Sequence, residues 1–229
     1  MLRRPFPALL GVTALAVVAV AVRPRLRNWG ATAQEIAMTF PGDGLVPGES
    51  GFSTMAVSIA APPAAVWPWL AQMGNGRAGW YSWDRLDNGG TPSATRIHPE
   101  WTAIAEGDRL VSMPERSWFD VAHVEAGRSL VLRASLDLGG RPYDPAGSRP
   151  PRYSDSRWEF LLLPVDDGAG TRLLTRAAGT GAPRIPTTLM NVAFGHPAHV
   201  IMQVRQLRQL KRRCEVIPPT SPLSSPGAC

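Results

Sequence analysis

The chain has 229 residues, of which 44% are hydrophobic and 18% charged, and this composition excludes a wholly disordered protein. The two cysteines, Cys214 and Cys229, exclude a disulfide framework and a multi-cysteine zinc module. The formal net charge of +6 lies at the two ends, because residues 30–204 hold 14 basic and 17 acidic side chains. We therefore expect no nucleic-acid partner, since a nucleic-acid-binding domain carries its basic face in its body.

The N-terminal segment contains an uncharged run over residues 8–22, followed at once by Arg23 and Arg25. This run is slightly short for a membrane-spanning helix, which needs about 17–25 residues, and suits the core of a signal peptide. For residues 1–27 we favour an uncleaved single-pass membrane anchor with the following domain in the cytoplasm. The alternative is a secreted protein, released by cleavage after the small residues at 19–21.

The next elements are a connector and the start of a domain. Residues 28–52 are rich in Gly and Pro, and Thr32 with Glu35 predicts a capping box for a short helix over 33–39. The domain is predicted over residues 53–215. It opens with a strand at 53–60 and a helix that begins at Pro62-Pro63 and ends at Gly74.

The middle of the chain is irregular over 74–101, with a short helix predicted near 83–86. Strands are then predicted at 108–113, 118–125, 129–137, 157–163 and 171–178, with a Gly- and Pro-rich excursion over 138–156. A final helix ends near Glu215, and residues 216–229 are predicted to be a disordered tail. This order predicts an α+β fold in which one curved antiparallel sheet wraps the long C-terminal helix and leaves a cavity beneath it.

Candidate binding residues are mostly aromatic. Tryptophan combines a large apolar body with one hydrogen-bond donor, which suits a pocket for an apolar ligand, although core packing explains a cluster equally well. The candidates for lining the cavity are Trp80, Tyr81, Trp83, Trp101, Trp118, Trp158 and Phe160. Arg77 and His98 are the candidates for polar contacts with a ligand, and a structural ion pair is the alternative for this charged group.

Three further motifs predict no chemistry. Residues 74–79 match G-x-G-x-x-G, but a helix rather than a strand is predicted before them, so no dinucleotide cofactor is expected. His196 and His199 lie three residues apart without a third ligand, so no metal is expected. Cys214 has basic neighbours but no paired base, so no catalytic thiol is expected.

Residues 29–108 resemble a group of bacterial proteins in the SRPBCC superfamily, also described as START-like, Bet v1-like or polyketide cyclase/dehydrase-like. The similarity rests on the segments WGAT at 29–32, PGD at 41–43, LVP at 45–47, APP at 61–63, VWPWL at 66–70, QMG at 72–74, GWYS at 79–82, and on Asp84, Arg96-Ile97, Pro99-Glu100 and Gly107-Asp108. It continues loosely to the C-terminal helix. The resemblance implies a helix-grip fold with a deep hydrophobic cavity, and binding or transport of lipids, hormones or polyketide-like molecules.

We therefore predict a membrane-tethered helix-grip domain that binds, transports or sequesters a hydrophobic small molecule without a cofactor. The first alternative is a cyclase, dehydratase or aromatase acting on a polyketide-like substrate, with Asp84 and His98 as the acid–base candidates. The second alternative is a membrane-surface module whose basic helix segment, residues 205–213, rests on anionic lipid.

Overall fold

The structure is a computed structural model, which describes residues 24–113, 117–183 and 195–215. The predicted N-terminal apolar helix and the predicted C-terminal tail lie outside these residues. Within the described ranges, no helix combines the length and hydropathy needed to cross a membrane.

The fold is α+β, with one six-stranded antiparallel sheet and a long C-terminal helix. The strands are β1 Ser50–Ile59, β2 Arg109–Met113, β3 Ser117–Glu125, β4 Ser129–Asp137, β5 Tyr153–Val165 and β6 Gly170–Ala182. The helices are α1 Ala33–Ala37, α2 Pro63–Ala71, α3 Asp84–Asp87 and α4 His196–Glu215, with 3-10 turns at Pro99–Trp101 and Asp166–Gly168. The strand order is β1-β6-β5-β4-β3-β2. This arrangement is consistent with the expected helix-grip fold.

The inner face of the sheet packs against α2 and α4. On β5, Phe160 and Leu162 join a core that also holds Leu207 and Leu210 of α4. Because successive side chains on a strand point to opposite faces, Arg157 and Glu159 lie on the outer face. The helix α4 thus closes one side of the sheet and leaves the other side to be covered by another segment.

That segment is residues 28–49, which we call the outer strap. It begins with α1, whose capping box forms as predicted between Thr32 and Glu35. Phe40 is buried against Leu161 and Leu174 on the outer face of the sheet, with the guanidinium of Arg176 over its ring. The sequence predicted a connector outside the domain, whereas the outer strap packs as part of the folded unit.

The excursion between β4 and β5 is shorter than predicted, because β5 begins at Tyr153 instead of Arg157. The polar sequence at 153–156 resembles a loop, but Asp155 is fully buried and accepts hydrogen bonds from Arg133 and Ser135 of the neighbouring strand. A tertiary contact therefore keeps these residues in the sheet, and the loop spans only residues 138–152.

Candidate functional site: a cavity between the sheet and the C-terminal helix

A cavity of about 400 Å³ lies between the inner face of the sheet and α4. Its walls come from the ends of β1, β5 and β6, from β3, from the loop around Trp80 and from the first half of α4. The lining residues used below are Arg27, Ser53, Trp80, Ser82, Asp87, Phe119, Arg157, Trp158, His199, Val200, Met202, Gln203 and Gln206. The volume falls in the range of small-molecule pockets, about 300–1,000 Å³.

One wall of the cavity is aromatic. The rings of Trp80, Phe119 and Trp158 form a triangle with centroid separations of 5.5, 5.5 and 5.6 Å. Phe160 supports Trp158 from behind at 4.8 Å. Such offset and edge-to-face contacts hold the rings rigid, so this wall is a preformed apolar surface.

A polar row faces this wall from α4. His199, Gln203 and Gln206 recur at i, i+4 and i+7, which places them on one side of the helix. The indole nitrogen of Trp158 donates to Gln203 Oε1 at 2.8 Å, and Gln203 Nε2 donates to Gln206 Oε1 at 2.6 Å. Gln206 Nε2 donates in turn to the carbonyl of Trp80 at 2.9 Å. Both glutamines are only 2% exposed, so these bonds offset the cost of burying their amides.

Neither glutamine is among the residues predicted from the sequence, because those candidates were chosen for aromatic or charged side chains. Their spacing from His199 was the available signal. Three polar residues at i, i+4 and i+7, next to the stripe of Val200, Val204 and Leu207, mark a helix face that is buried but not purely apolar.

His199 provides a titratable group inside the cavity. Its Nε2 lies 3.2 Å from the hydroxyl of Ser53, which follows the pairing irregularity of β1 between Ser50 and Ser53. A bulge bends a strand and redirects a side chain, and here it accompanies a serine that faces the helix. Within the described residues, no group of three His, Cys, Asp or Glu side chains could hold a metal ion.

Asp87 is the carboxylate of the cavity wall. Burial raises the pKa of its carboxyl above the ordinary aspartate value, and the nearby charge of Asp84 acts in the same direction. The backbone N–H of Trp83 donates to Asp87 Oδ2 at 3.3 Å and opposes this shift. The cavity therefore contains one histidine and one carboxyl group that is more easily protonated than usual.

The predicted aromatic residues divide among several places. Trp80 and Trp158 line the cavity, and Phe160 packs behind Trp158. Trp83 lies exposed at the cavity rim, where the guanidinium of Arg205 stacks 4.2 Å above its ring. Tyr81 is buried behind α2, and its hydroxyl donates to the carbonyl of Trp69 at 3.1 Å.

Trp118 lies away from the cavity, contrary to expectation. Its indole nitrogen donates to Asp120 at 3.0 Å, and Arg109 stacks 4.4 Å above its ring. The reason is the alternation of β3, which turns Phe119 inward and its neighbours Trp118 and Asp120 to the opposite face. The alternation of side chains along a strand does not by itself say which set points inward.

Arg77, His98 and Trp101 form a separate cluster outside the cavity lining. Arg77 donates to the carbonyls of Ala71 and Trp101, and the His98 ring stacks on Trp101 at 4.4 Å. The backbone N–H of His98 donates to the buried amide of Gln72. These contacts tie the irregular segment to the end of α2, so the three side chains hold the loop in place.

Asp84 also faces away from the cavity. Its Oδ1 accepts a hydrogen bond of 2.5 Å from Ser93 Oγ.

The loop at 74–79 is closed by paired backbone hydrogen bonds between Gly74 and Gly79 and follows a helix, as predicted for a helix terminus.

Comparison with known proteins found no protein-family model and no curated protein sequence that matches the chain. Among solved structures, the chain is similar to DynU16, a protein of the dynemicin biosynthetic locus (18% identity, TM-score 0.40, covering 71% of this chain and 48% of that one). It is also similar to CalU16 from Micromonospora echinospora (16%, TM-score 0.36, 72% and 83%) and to a protein from Arthrobacter aurescens (13%, TM-score 0.41, 74% and 91%). The chain spans about half the length of DynU16. Similarity at this level concerns the fold alone and assigns no activity.

Proposed function

We propose that the protein binds an uncharged, largely apolar small molecule in the cavity between the sheet and α4. The observation that carries this proposal is the pairing of two walls across one cavity of about 400 Å³. An aromatic wall of Trp80, Phe119 and Trp158 faces a row of neutral polar groups on α4. The aromatic wall supplies affinity by excluding water from an apolar body, and the polar row orients the hydroxyl or carbonyl groups of the ligand.

The charges around the cavity favour a neutral ligand. The described lining carries charge at Arg27, Asp87 and Arg157 and, when protonated, at His199. The guanidinium of Arg157 is committed to Asp43, Glu49 and Glu159 on the outer face. The remaining fixed charges of the described lining, Arg27 and Asp87, are opposite in sign, so the cavity offers an anionic ligand no excess of positive charge, and an unpaired buried charge is strongly disfavoured.

The test uses a matched pair of probes on the full-length protein, 1-naphthol and 1-naphthoate, which share a ring system and differ in charge. We expect saturable quenching of tryptophan fluorescence by naphthol, and binding at least about tenfold weaker for naphthoate, since a charge lost from water without a partner costs more than a neutral group. Gln203→Leu removes one hydrogen-bonding edge and should weaken naphthol binding by about two- to tenfold. Gln209→Leu, on the same helix but bonded to Arg213, is the control and should leave binding unchanged.

The proposal fails if neither probe binds saturably and organic extraction of the purified protein releases no small molecule. The proposed preference for an uncharged ligand is wrong if naphthoate binds as tightly as naphthol, because the neutral lining would then not select against charge.

A second candidate function is an enzyme of the cyclase, dehydratase or aromatase type, and the contact between His199 and Ser53 favours it. A histidine within hydrogen-bond reach of a hydroxyl in a cavity is suited to proton transfer. The acid–base groups would then be His199 and Asp87, which line the cavity, in place of His98 and Asp84, which do not.

This alternative predicts turnover of whatever small molecule is extracted with the protein. Mass spectrometry should detect a product, which for a dehydratase is lighter than the substrate by one water. The rate of product formation should be lost in His199→Gln and retained in the control His98→Gln. Stoichiometric binding without any product in the unmodified protein would exclude catalysis on that molecule.

A further inference from the structure

Exposed apolar side chains concentrate around the mouth of the cavity. Among the described residues, seven large hydrophobic side chains are exposed, and five of them are next in sequence to a residue that lines the cavity. Four of these, which we call the rim patch, are Leu26, Trp83, Leu86 and Ile201, whereas the fifth, Val111, pairs with Trp118 on the opposite face of the sheet. Leu86 is the most open, with 75% of its surface exposed. A cluster of exposed apolar residues at one place on a surface marks an interaction site rather than ordinary surface composition.

The rim patch is interleaved with arginines. Arg205 stacks over Trp83 and donates to the carbonyl of Ser82 at 2.6 Å, one helical turn after Ile201. Arg208 and Arg212 continue this side of α4 at i+3 and i+7 and are exposed. Arginine remains charged at all physiological pH values, so this side of the helix attracts anions.

The acidic side chains beside the patch are engaged within the fold. Asp84 accepts a hydrogen bond from Ser93, and Asp87 accepts one from the backbone of Trp83. Lys211 and Glu215 neutralise each other at 3.0 Å further along the helix. The hydrogen bonds leave the negative charges of Asp84 and Asp87 in place, but the arginines Arg85, Arg205, Arg208 and Arg212 outnumber these two carboxylates, so the field around the exposed apolar residues is positive on balance.

The chain also enters the described structure at this mouth. Arg27 lines the cavity, and Asn28 Oδ1 accepts a hydrogen bond from the backbone of Thr54 on β1. The sequence places the uncharged run of residues 8–22 only five residues before Arg27, a distance that an extended chain spans in less than about 20 Å. A membrane anchor in that run would hold the cavity mouth close to the bilayer.

We propose that the rim patch docks on the surface of an anionic lipid bilayer. Tryptophan and arginine next to aliphatic side chains are the composition of membrane–water interfaces, where the ring and the aliphatic groups enter the headgroup region and the arginines pair with phosphates. A second copy of the chain is disfavoured as the occupant, because a two-fold contact through this patch would bring the arginines of α4 against their own copies. Docking would place the cavity mouth against lipid, so an apolar ligand could exchange with the bilayer without crossing water.

The experiment measures the environment of a label placed within the rim patch, because the N-terminal run alone could bring the full-length protein to vesicles. A polarity-sensitive fluorophore is attached at Leu86→Cys in a background where Cys214 and Cys229 are alanine. The matched control carries the same label at Ile36→Cys, an exposed apolar position on α1 at the outer face. Vesicles consist of phosphatidylcholine with or without phosphatidylglycerol.

We expect blue-shifted emission from position 86 with the anionic vesicles and no shift from position 36. Replacing Arg205, Arg208 and Arg212 singly with Gln should weaken the vesicle affinity measured at position 86 by about fivefold each, and Arg128→Gln, at a distant hairpin, should not. Sedimentation with vesicles without a shift at position 86 would overturn the proposal, because the protein would then be held by another segment. An equal shift with neutral vesicles would overturn the role of the arginines.

Discussion

The sharpest test of this fold is the substitution Arg157→Met, which removes the positive centre beneath the outer strap. Arg157 is only 1% exposed and donates to Asp43 and Glu49 of the strap and to Glu159 of its own strand. Methionine has a similar length and fills much of the space, so packing loss is small and the effect is electrostatic. In the variant, the carboxylate of Glu159, which is only 1% exposed, stays buried beside Glu49 and has lost its cationic partner.

Breaking a buried ion pair by removing one partner costs about 3–5 kcal/mol. An independent bound on the charge comes from protonation: a glutamate with an ordinary pKa of about 4.3 takes up a proton at pH 7 at a cost of about 3.7 kcal/mol, so the charge of the stranded Glu159 carboxylate contributes no more than about that. We therefore expect Arg157→Met to lower the free energy of unfolding by about 3–4 kcal/mol at pH 7. Arg176, which stays within 3.0 Å of Asp43, keeps that carboxylate paired and limits the loss.

The sign of the pH dependence separates this explanation from simple packing loss. Stranded carboxylates in the variant have a folded-state pKa above the unfolded value, so the folded variant binds more protons than the unfolded chain and gains stability as pH falls. The difference in free energy of unfolding between the original protein and Arg157→Met should thus become smaller from pH 7 towards pH 5. The measurement is urea unfolding followed by tryptophan fluorescence. The double variant Arg157→Met/Glu159→Gln should recover part of the loss at pH 7.

Arg128→Met is the matched control, since Arg128 pairs with Glu125 at the exposed end of a hairpin and such pairs contribute less than about 1 kcal/mol. If Arg157→Met is no less stable than this control, or if the gap widens on acidification, then the ion network does not hold the outer strap.

Three further predictions concern the outer strap and α4. Gly30→Ala should destabilise the protein by more than about 2 kcal/mol in urea unfolding, because the φ of Gly30 is +75° and a Cβ atom would lie 2.2 Å from the carbonyl oxygen of Ala56. The control Gly44→Ala, with φ +84° and open space around it, should cost only the strain of the positive φ, about 1 kcal/mol. Equal losses in the two variants would contradict the steric explanation. The hydrogen bond from Arg172 lowers the pKa of Glu35, so this pair should add stability at neutral pH that is lost as pH falls through that lowered pKa. An NMR titration should show the pKa of Glu35 rising in Arg172→Leu, and an unchanged pKa would contradict the pairing. Burial raises the pKa of the Cys214 thiol to about 12, so peptide-resolved alkylation at pH 8 should be slow in the folded protein and fast in urea, and rapid modification without urea would show that this end of α4 opens.

Much of the local structure follows from the sequence because it depends on neighbouring residues. The capping box of Thr32 and Glu35 forms over three residues, and the strand Ser129–Asp137 has the predicted bounds. The end of α4 at Glu215 also agrees with the prediction. The general architecture, a sheet followed by a long C-terminal helix, follows from the order of these elements.

The candidate site was only partly predictable. Trp80 and Trp158 were identified as cavity residues from their chemistry, but Trp118 was grouped with them and Gln203 was not. A strand pattern with period two defines two faces without saying which is inner, and the usual polar–apolar contrast is absent here because the strap buries the outer face as well. On β4, for example, Val131 on the outer face is as completely buried as Leu130 and Leu132 on the inner face.

The sequence by itself therefore determined the element order, the caps, the hairpins and the aromatic content of the chain, all of which depend on contacts between near neighbours. Only the tertiary structure decided that Phe119 and not Trp118 faces the cavity, that Gln203 lies opposite Trp158, and that the presumed connector closes the outer face of the sheet. The physical reason is that these outcomes depend on contacts between residues far apart in the chain. Arg157 meets Asp43 across 114 positions and His199 meets Ser53 across 146, and no local pattern records such pairs.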